Sequence, residues 1–388
     1  MNRMQPVRFG IVGIGNIGAT HVERFRLGEI NGAELVAICD TSPAALARHP
    51  DVKGYRDSAD LIRSGEVDAL IIATPHYSHT TIGIDALQQG LHVLVEKPLS
   101  VHKADCERLL AAHTDSRQVF AVMFDTRTEP RYRQLRELVM GGQLGRIRRI
   151  NWILTSWFRS DAYYASSDWR ATWDGEGGGM LVNQLPHDLD LFQWIFGLPT
   201  RVRAFCPIGK YHPIEVEDEV NALLEFADGT TAVLVATTGE APGTDRREVI
   251  GDNGRVLVYP DRLEFTRNVV PTSEFNRTTT ESFASPDSEE IQIPVLGTAG
   301  RHTEVINQFV DSIVNGTPLV AEAAEGTASV ELANAIILSS QLNRTIELPL
   351  DATLFEEWLT TKRATSRYVP GSGTASGVVA DMGTSFTH

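Results

Sequence analysis

The stretch GIVGIGNIGATHVERF at residues 10–25 decides the fold, because three glycines recur in it at the spacing GxGxxG directly after an apolar run. Such a turn between a strand and a helix is typical of dinucleotide-binding units. Gly13 permits the tight turn, Gly15 lets the backbone approach a pyrophosphate, and Gly18 lets helix and strand pack closely. The stretch therefore predicts a dinucleotide site.

The nature of the dinucleotide depends on the residues around this turn. Asn16 and Ile17 begin the helix, whose first N–H groups would face the phosphates. Asp40 ends the second apolar run, where a carboxylate can accept the ribose hydroxyls of NAD and would repel the 2′-phosphate of NADP. A solvated aspartate in a turn is the alternative, and Arg48 leaves some room for NADP. We expect NAD.

The rest of the chain predicts an α/β fold, because apolar runs alternate with helical patterns over the first 125 residues. A doubly wound parallel sheet should form from strands at Val7–Val12, Leu35–Cys39, Ala69–Ala73, His92–Val95 and Phe120–Phe124, with helices at 16–27, 57–64, 79–90 and 101–113. From about Arg146, longer alternating segments separated by turns predict a large, mostly antiparallel open sheet in a C-terminal α/β domain.

The expected boundaries follow from the same patterns. Residues 1–125 should form the nucleotide-binding domain, 126–365 a substrate-binding and oligomerisation domain, and 366–388 a flexible or peripheral tail. Within the second domain, residues 271–290 are predicted to be a mobile polar loop, and 302–315 and 321–341 to be helices.

The loop ATPHYSHT at 73–80 follows the third predicted strand, at the edge of the sheet where ligands of parallel sheets bind. Thr74 and Pro75 are expected to line the cofactor groove, and we place His79 with them. A histidine that merely begins a helix is the alternative for His79. His76 and His79 without a carboxylate partner make a poor metal site, so we predict no metal.

The segment VEKPL at 95–99 ends a buried strand with two charged residues, and Pro98 turns the chain out of that strand. Glu96 and Lys97 are therefore expected at the cofactor groove. Burial beside the positive nicotinamide ring would lower the pKa of Lys97 toward the range that suits proton transfer. A solvated Glu–Lys pair is the alternative.

The segment GGGMLVNQLPHDLD at 177–190 concentrates glycines and polar residues before a predicted helix. His187 follows the proline that begins this helix, where the helix dipole disfavours a positive ring and keeps it able to accept a proton. Asp190 should orient that ring or cap the helix, and Asn183 should hold a substrate hydroxyl. A plain glycine turn and amphipathic helix would also explain the pattern.

Five of the six tryptophans fall between residues 152 and 194, in and around the segment WFRSDAYYASSDWRATWDGEGGG. Aromatic faces suit the C–H faces of a pyranose or cyclitol, and polar neighbours suit its hydroxyls. We therefore name Tyr163, Trp169 and Arg170 as substrate-binding candidates, with Arg127 as a weaker one. Core packing is the alternative for each tryptophan.

Charge and composition exclude several classes of protein. The formal net charge of −15 repels nucleic acid and anionic lipid, and no window is apolar enough to span a membrane. Three cysteines lie far apart, so neither a disulfide framework nor a zinc site is encoded. A strand pattern begins too early to leave room for a signal peptide, and we expect a cytoplasmic protein.

The motifs described above stand in the order found in the glucose-fructose oxidoreductase, inositol dehydrogenase and rhizopine catabolism (Gfo/Idh/MocA) family, which the chain resembles from Val7 to about Leu348. The resemblance includes RELVMGGQLGRIRRINW at 136–152 and EGTASVELANAIILSS at 325–340. It implies a Rossmann domain, a second domain whose open sheet commonly forms oligomer contacts, and NAD(P)-dependent oxidation of a sugar or cyclitol hydroxyl.

By this resemblance Lys97 is the catalytic lysine, and His187 shares the reacting hydroxyl. Many family members carry aspartate four residues before the histidine, whereas this chain has Asn183, which cannot take a proton. We therefore expect an NAD-dependent dehydrogenase, assembled as a dimer or tetramer, acting on a ring secondary hydroxyl of an uncharged sugar, glycoside, anhydrosugar or cyclitol. The alternatives are an inositol dehydrogenase, a glycosidase that retains its NAD, and a non-catalytic sugar sensor.

Overall fold

A computed structural model describes residues 5–368, which contain two sheets. The first sheet has six parallel strands in the order β3-β2-β1-β4-β5-β6. Its strands are β1 (Val7–Val12), β2 (Ala33–Cys39), β3 (Lys53–Tyr55), β4 (Ala69–Ile72), β5 (His92–Val95) and β6 (Phe120–Val122). Its helices are α1 (Asn16–Arg26), α2 (Pro43–Ala47), α3 (Ser58–Ile62), α4 (Tyr77–Gln88) and α5 (Lys103–Ala111).

Buried apolar side chains explain why these segments are strands. β4 is buried over its whole length and β1 over all but one residue, as expected for central strands covered by helices on both faces. The predicted parallel sheet is therefore confirmed, with ends within two residues of those predicted. The short β3 and α2 are additions that periodicity missed, because neither is long enough to establish a repeat.

The second sheet has nine strands in the order β14-β13-β12-β11-β7-β10-β9-β8-β15. Its pairs are antiparallel except β7 with β10, so the predicted mostly antiparallel sheet is confirmed. Its strands are β7 (Ile147–Leu154), β8 (Arg201–Phe205), β9 (Glu219–Glu225), β10 (Thr231–Thr237), β11 (Asp245–Gly251), β12 (Gly254–Val258), β13 (Arg262–Asn268), β14 (Ser288–Pro294) and β15 (Ile346–Glu347).

The remaining helices of the described residues follow β6 in sequence. They are α6 (Pro130–Met140), α7 (Asp161–Tyr164), α8 (Pro186–Phe196), α9 (Thr272–Thr278), α10 (Arg301–Asn315), α11 (Ala323–Gln341) and α12 (Ala352–Arg363). The prediction of a polar loop over 271–290 is wrong in part, since α9 occupies its first half and β14 begins near its end. The tail predicted from residue 366 lies outside the described residues from 369 onward.

One face of the second sheet is covered and the other is open. Alternate residues such as Trp152 and Leu234 are buried in a core that α8 and α11 complete. The opposite face exposes large apolar side chains, among them Phe205 and Leu223. Within residues 5–368, every helix is too short or too polar to span a bilayer.

Two late helices return to the first sheet. Val305, Ile306 and Phe309 of α10 pack in the same core as Phe9 of β1. Helix α11 contacts β6 and α5 as well as β8 and α8. Since α10 follows the second sheet in sequence but covers the first, the part of the chain that builds the nucleotide half extends beyond the boundary predicted at residue 125.

The glycine-rich turn joins β1 to α1 by close backbone approach. Gly13 has a φ of +91°, and a Cβ there would lie 2.6 Å from the carbonyl oxygen of Ala73. A Cβ on Gly18 would lie 1.8 Å from the carbonyl oxygen of Gly13, whereas a Cβ on Gly15 would meet nothing within 4 Å. Gly13 and Gly18 are thus required by packing, while Gly15 leaves open space in front of the helix.

Gly18→Ala should destabilise the protein by roughly 1–3 kcal/mol, because the added methyl group must push the turn away from α1. The measurement is thermal unfolding followed by circular dichroism. Gly15→Ala is the matched control and should unfold at nearly the unmodified temperature, since its methyl group enters open space. Equal melting temperatures for Gly18→Ala and the unmodified protein would contradict this account of the turn.

Candidate active site

The residues predicted to hold the dinucleotide lie together at the carboxyl edge of the first sheet. Helix α1 begins at Asn16 and Ile17 without a side-chain cap and without an acidic residue in its first turn. Both oxygens of Asp40 accept backbone N–H groups, Oδ2 from Ile14 at 2.7 Å and Oδ1 from Ser42 at 2.8 Å. These bonds fix the carboxylate beside the turn and leave further lone pairs for ribose hydroxyls.

The neighbouring loop after β4 completes this groove. Thr74 Oγ1 is buried and has no hydrogen-bond partner among residues 5–368, so it is available to a ligand. Pro75 follows it. His79 is fully buried, with Nε2 2.9 Å from the Thr74 carbonyl oxygen and Nδ1 2.9 Å from that of Pro98. His79 therefore holds the loop against the next one, and its burial argues against the direct cofactor contact that we expected.

Lys97 extends from the end of β5 to the segment that precedes α8. Its Nζ donates a 2.9 Å hydrogen bond to the backbone carbonyl oxygen of Asn183. Burial lowers the pKa of Lys97, although the negative charges of Glu96, Asp125 and Glu176 oppose that shift. The structure thus gives the lysine the depressed pKa that the sequence predicted, and the lysine needs no cofactor charge to reach it.

Glu96 lies behind Lys97 rather than in the open part of the site. Its Oε1 contacts Nε2 of His21 at 2.8 Å, and its Oε2 accepts the N–H of Lys97 at 3.3 Å. Burial alone would raise the pKa of Glu96, but His21, His302 and Lys97 lower it to about 2. Glu96 is therefore a fixed negative charge that supports the lysine.

His187 is the second residue of α8, as predicted. Its Nε2 lies 3.2 Å from Oδ1 of Asp125, while its Nδ1 is buried without a partner among residues 5–368. Burial lowers the pKa of His187 to about 4, against the opposing charge of Asp125. The 3.2 Å contact of Nε2 with the Asp125 carboxylate favours a proton on Nε2, and the neutral ring then presents Nδ1 as an acceptor.

The prediction that Asp190 would orient the His187 ring is wrong. Asp190 does not orient His187 but forms a bidentate ion pair with Arg127, at 2.7 Å and 2.6 Å, and both side chains are 1% exposed. Arg127 also pairs with Glu325 of α11 at 2.9 Å. A guanidinium so enclosed cannot reach a substrate, so the structure assigns Arg127 and Asp190 to packing α8 against α11 and not to substrate binding.

The aromatic candidates gather on the other side of Lys97. Arg170 stacks on the rings of Tyr163 and Trp169, with its central carbon 4.3 Å and 5.0 Å from their centroids. Its Nη1 donates to the hydroxyl of Tyr163 at 2.6 Å, and Gln184 donates to the same oxygen at 3.1 Å. All three predicted residues are half-buried at one wall, together with Asn183.

Two carboxylates of this site escaped sequence reasoning. Asp125 lies three residues after the end of β6, much as Lys97 lies two residues after the end of β5, so that position was a usable signal. Glu176 is 1% exposed and its Oε1 accepts the side-chain amide of Asn183. It stands one residue before the three glycines, and nothing in the local pattern distinguishes it from a surface glutamate.

A dinucleotide site beside a buried lysine and histidine defines an oxidoreductase, and comparisons with known proteins agree. Residues 7–124 match the oxidoreductase family model with an NAD-binding Rossmann fold, and residues 132–257 match the GFO/IDH/MocA C-terminal domain. The chain belongs to the Gfo/Idh/MocA family, as its motifs predicted, and its cofactor is NAD. Within the described residues, no cluster of three or more metal-ligating side chains occurs.

The chain is similar to two curated proteins of this family. Inositol 2-dehydrogenase of Salmonella typhimurium is 34% identical over 256 residues, which cover 64% of this chain and 72% of the relative. The rhizopine catabolism protein MocA of Rhizobium meliloti is 27% identical over 354 residues, covering 88% and 98%. Among solved structures, the WlbA dehydrogenase of Bordetella pertussis with NADH and UDP-GlcNAcA has a TM-score of 0.76 at 26% identity, covering 90% and 99%.

Asp40 should discriminate between the two forms of the cofactor. NAD should bind at least about tenfold more tightly than NADP, a difference of about 1.4 kcal/mol, because the carboxylate repels the 2′-phosphate. Asp40→Ala should narrow this gap. The measurement is calorimetric titration of both proteins with both dinucleotides. Equal affinities in the unmodified protein would show that Asp40 does not select between the two cofactors. Arg48, which donates to the Ile14 carbonyl oxygen at 2.9 Å, would then be the residue expected to accommodate NADP.

Proposed function

We propose that this protein is an NAD-dependent dehydrogenase that oxidises a ring secondary hydroxyl of a sugar, glycoside, anhydrosugar or cyclitol to a ketone. The observation that carries the proposal is the placement of a buried amine and a neutral imidazole at one site, beside the NAD-binding edge of the first sheet. Two bases with lowered pKa values are the groups that removal of a hydroxyl proton requires.

Lys97 serves as the proton acceptor in this proposal. A neutral amine has two hydrogens and one lone pair, and the bond to the Asn183 carbonyl oxygen occupies one hydrogen. The lone pair is then free to accept the proton of the substrate hydroxyl. His187 assists by accepting a hydrogen bond at Nδ1 from an adjacent ring hydroxyl, and the contact of Nε2 with Asp125 favours this acceptor form.

The chain offers a coherent set of groups for the cofactor. The open space at Gly15, the uncapped terminus of α1, the Asp40 carboxylate and the free Thr74 hydroxyl fit a pyrophosphate, a ribose and a polar ring substituent. When bound, NAD supplies the acceptor for a hydride from the ring carbon. Lys97 takes the proton of the hydroxyl on that carbon, and His187 holds an adjacent hydroxyl of the same ring.

The charges around the site favour an uncharged substrate. Lys97 and Arg170 are accompanied by the carboxylates of Glu96, Asp125 and Glu176, so the site has no surplus of positive charge for a phosphate or carboxylate. The half-buried rings of the aromatic wall suit a ring with C–H faces. The inositol in the name of one relative supports an uncharged ring polyol, whereas the solved structure of WlbA holds a charged sugar nucleotide.

The proposal also covers the division into domains, the oligomeric state and the cellular location of the protein. We propose that residues 1–125, completed by α10, act as the nucleotide-binding half, and that the rest of 126–365 acts as the substrate-binding and oligomerisation half. The exposed Phe205 and Leu223 on the open sheet support a homo-oligomer, a dimer or tetramer formed through that face. Cys39, Cys106 and Cys206 are buried free thiols, which supports a reducing cytoplasm.

Lys97→Met should lower kcat by roughly 100-fold or more, because general base catalysis contributes on that scale, while leaving NAD affinity nearly unchanged. The assay follows NADH at 340 nm with a panel of inositols, free sugars, glycosides and anhydrosugars. In the unmodified protein kcat/KM should rise with pH through the pKa of Lys97, since only the neutral amine accepts a proton.

The same assay separates the alternatives. A free dehydrogenase accumulates NADH in step with ketone, whereas an NAD-retaining glycosidase releases sugar without net absorbance change. A sugar sensor would bind a ligand but reduce no NAD. Near-normal kcat in Lys97→Met, with folding intact, would defeat the proposed proton pathway.

A further inference from the structure

The geometry points to a role for Glu176 beside Asn183: we propose that it orients the Asn183 amide toward the substrate hydroxyls and balances the charge of Lys97. It would be a positioning residue, acting through Asn183 and Lys97 and not on the substrate itself. This inference rests on the proposed function, because it concerns the same site and the same hydroxyl.

The first argument is the direction of the amide. Glu176 Oε1 accepts from Nδ2 of Asn183, and its Oε2 accepts the N–H of Ala171 at 2.6 Å. Both carboxylate oxygens thus face donors, and these contacts favour the ionised form of Glu176 against the burial that raises its pKa. An ionised carboxylate can only accept, so it forces Nδ2 of Asn183 toward itself and turns Oδ1 away.

The orientation of the amide determines which atom of the Asn183 side chain faces the substrate. Among residues 5–368, no donor reaches Oδ1 of Asn183, while the carbonyl oxygen of the same residue holds Nζ of Lys97 at 2.9 Å. Asn183 therefore presents one acceptor to the lysine and keeps another for a hydroxyl at the same place. Without Glu176 the amide would be free to turn and offer a donor instead.

The second argument is charge. Glu176 raises the pKa of Lys97, and Lys97 lowers that of Glu176, so the two groups are electrostatically coupled. Burial raises the pKa of Glu176, while Arg170, the Ala171 N–H and Asn183 oppose the shift. The other ionisable groups coupled to the lysine are Glu96, Asp125, Arg170, His76, His79 and His187.

This arrangement changes what substitution at position 183 would do. Asn183→Asp would place a second carboxylate in contact with Glu176, and two carboxylates that close cannot both ionise. The asparagine is therefore suited to this chain, which carries its carboxylate seven residues earlier in sequence. A simple return to the family's aspartate should work only if Glu176 is changed as well.

The first variant for the test is Glu176→Gln, which removes the charge and keeps the size. Loss of a nearby negative charge should lower the pKa of Lys97 by roughly one unit. Trace acetylation of the full chain with acetic anhydride over a range of pH, read at Lys97 by mass spectrometry, measures this pKa without cofactor or substrate. That readout is independent of whether the protein is a dehydrogenase.

Glu217→Gln is the matched control. Glu217 is equally buried and accepts the N–H groups of Gly179 and Leu181, so it supports the same glycine segment. Burial raises its pKa to about 7, so it is ionised in the alkaline part of the labelling range, and Glu217→Gln removes that charge while keeping an acceptor oxygen for the two N–H groups. Glu217→Gln should leave the labelling profile of Lys97 unchanged, even if it alters the melting temperature.

The reciprocal double variant, Glu176→Gln with Asn183→Asp, tests the orientation argument. In this variant the amide is at position 176 and the carboxylate at position 183, so the contact between them is restored with donor and acceptor exchanged. A negative charge also returns near Lys97. It should bring the Lys97 profile back toward that of the unmodified protein, and its kcat/KM should exceed that of Asn183→Asp alone. An unshifted profile in Glu176→Gln, or the same shift in Glu217→Gln, would overturn the inference while leaving the proposed dehydrogenase activity untouched.

If the profile moves as expected but no substrate in the panel reduces NAD, the proposed function fails and the coupling of Glu176 to Lys97 stands. If NAD is reduced and Glu176→Gln retains the pH profile of the unmodified enzyme with the same kcat and KM, the carboxylate is only structural and the inference fails. The two failures are therefore distinguishable.

Discussion

The hydrogen bond from Lys97 Nζ to the Asn183 carbonyl oxygen is the contact on which the site depends. Lys97 stands at the end of a parallel strand of the first sheet, and Asn183 stands just before the helix that packs on the second sheet. One bond thus aligns the lysine from the NAD-binding half with the histidine four residues beyond its partner. It holds because both residues are half-buried, and an amine withdrawn from water without an acceptor would be costly.

Burial also sets the chemistry of the bases. Removal from water lowers the pKa values of Lys97 and His187, and the nearby carboxylates restrain both shifts. Histidines contact these carboxylates in turn, since Glu96 lies 2.8 Å from Nε2 of His21 and Asp125 lies 3.5 Å from Nδ1 of His302. Helix α10 supplies His302, which explains why a late helix must return to the first sheet.

Much of the fold and part of the site could be predicted from the sequence. The glycine spacing and the fully apolar strands placed Gly13, Asp40 and Lys97 at one edge, because parallel strands all end there. His187 followed from the proline that begins α8. These predictions rested on local patterns with a strict geometric meaning.

The errors arose where contacts join distant segments. Arginine is a residue type that often binds ligands, and only the burial of Arg127 against Asp190 and Glu325 shows that its role is structural. Asp125, Glu176 and His302 come from three separate regions that no periodicity relates. Short or polar elements such as β14 were also missed as strands, because neighbouring strands and not their own side chains stabilise them.

A crystal structure of the protein with NADH and a ring polyol that it accepts would test the central claim most directly. We predict one hydroxyl of the polyol within about 3 Å of Lys97 Nζ, with His187 Nδ1 and Asn183 Oδ1 each accepting from an adjacent hydroxyl. A polyol held at the Tyr163–Arg170 wall with no hydroxyl near Lys97 would contradict the account, because the lysine could not then take the proton.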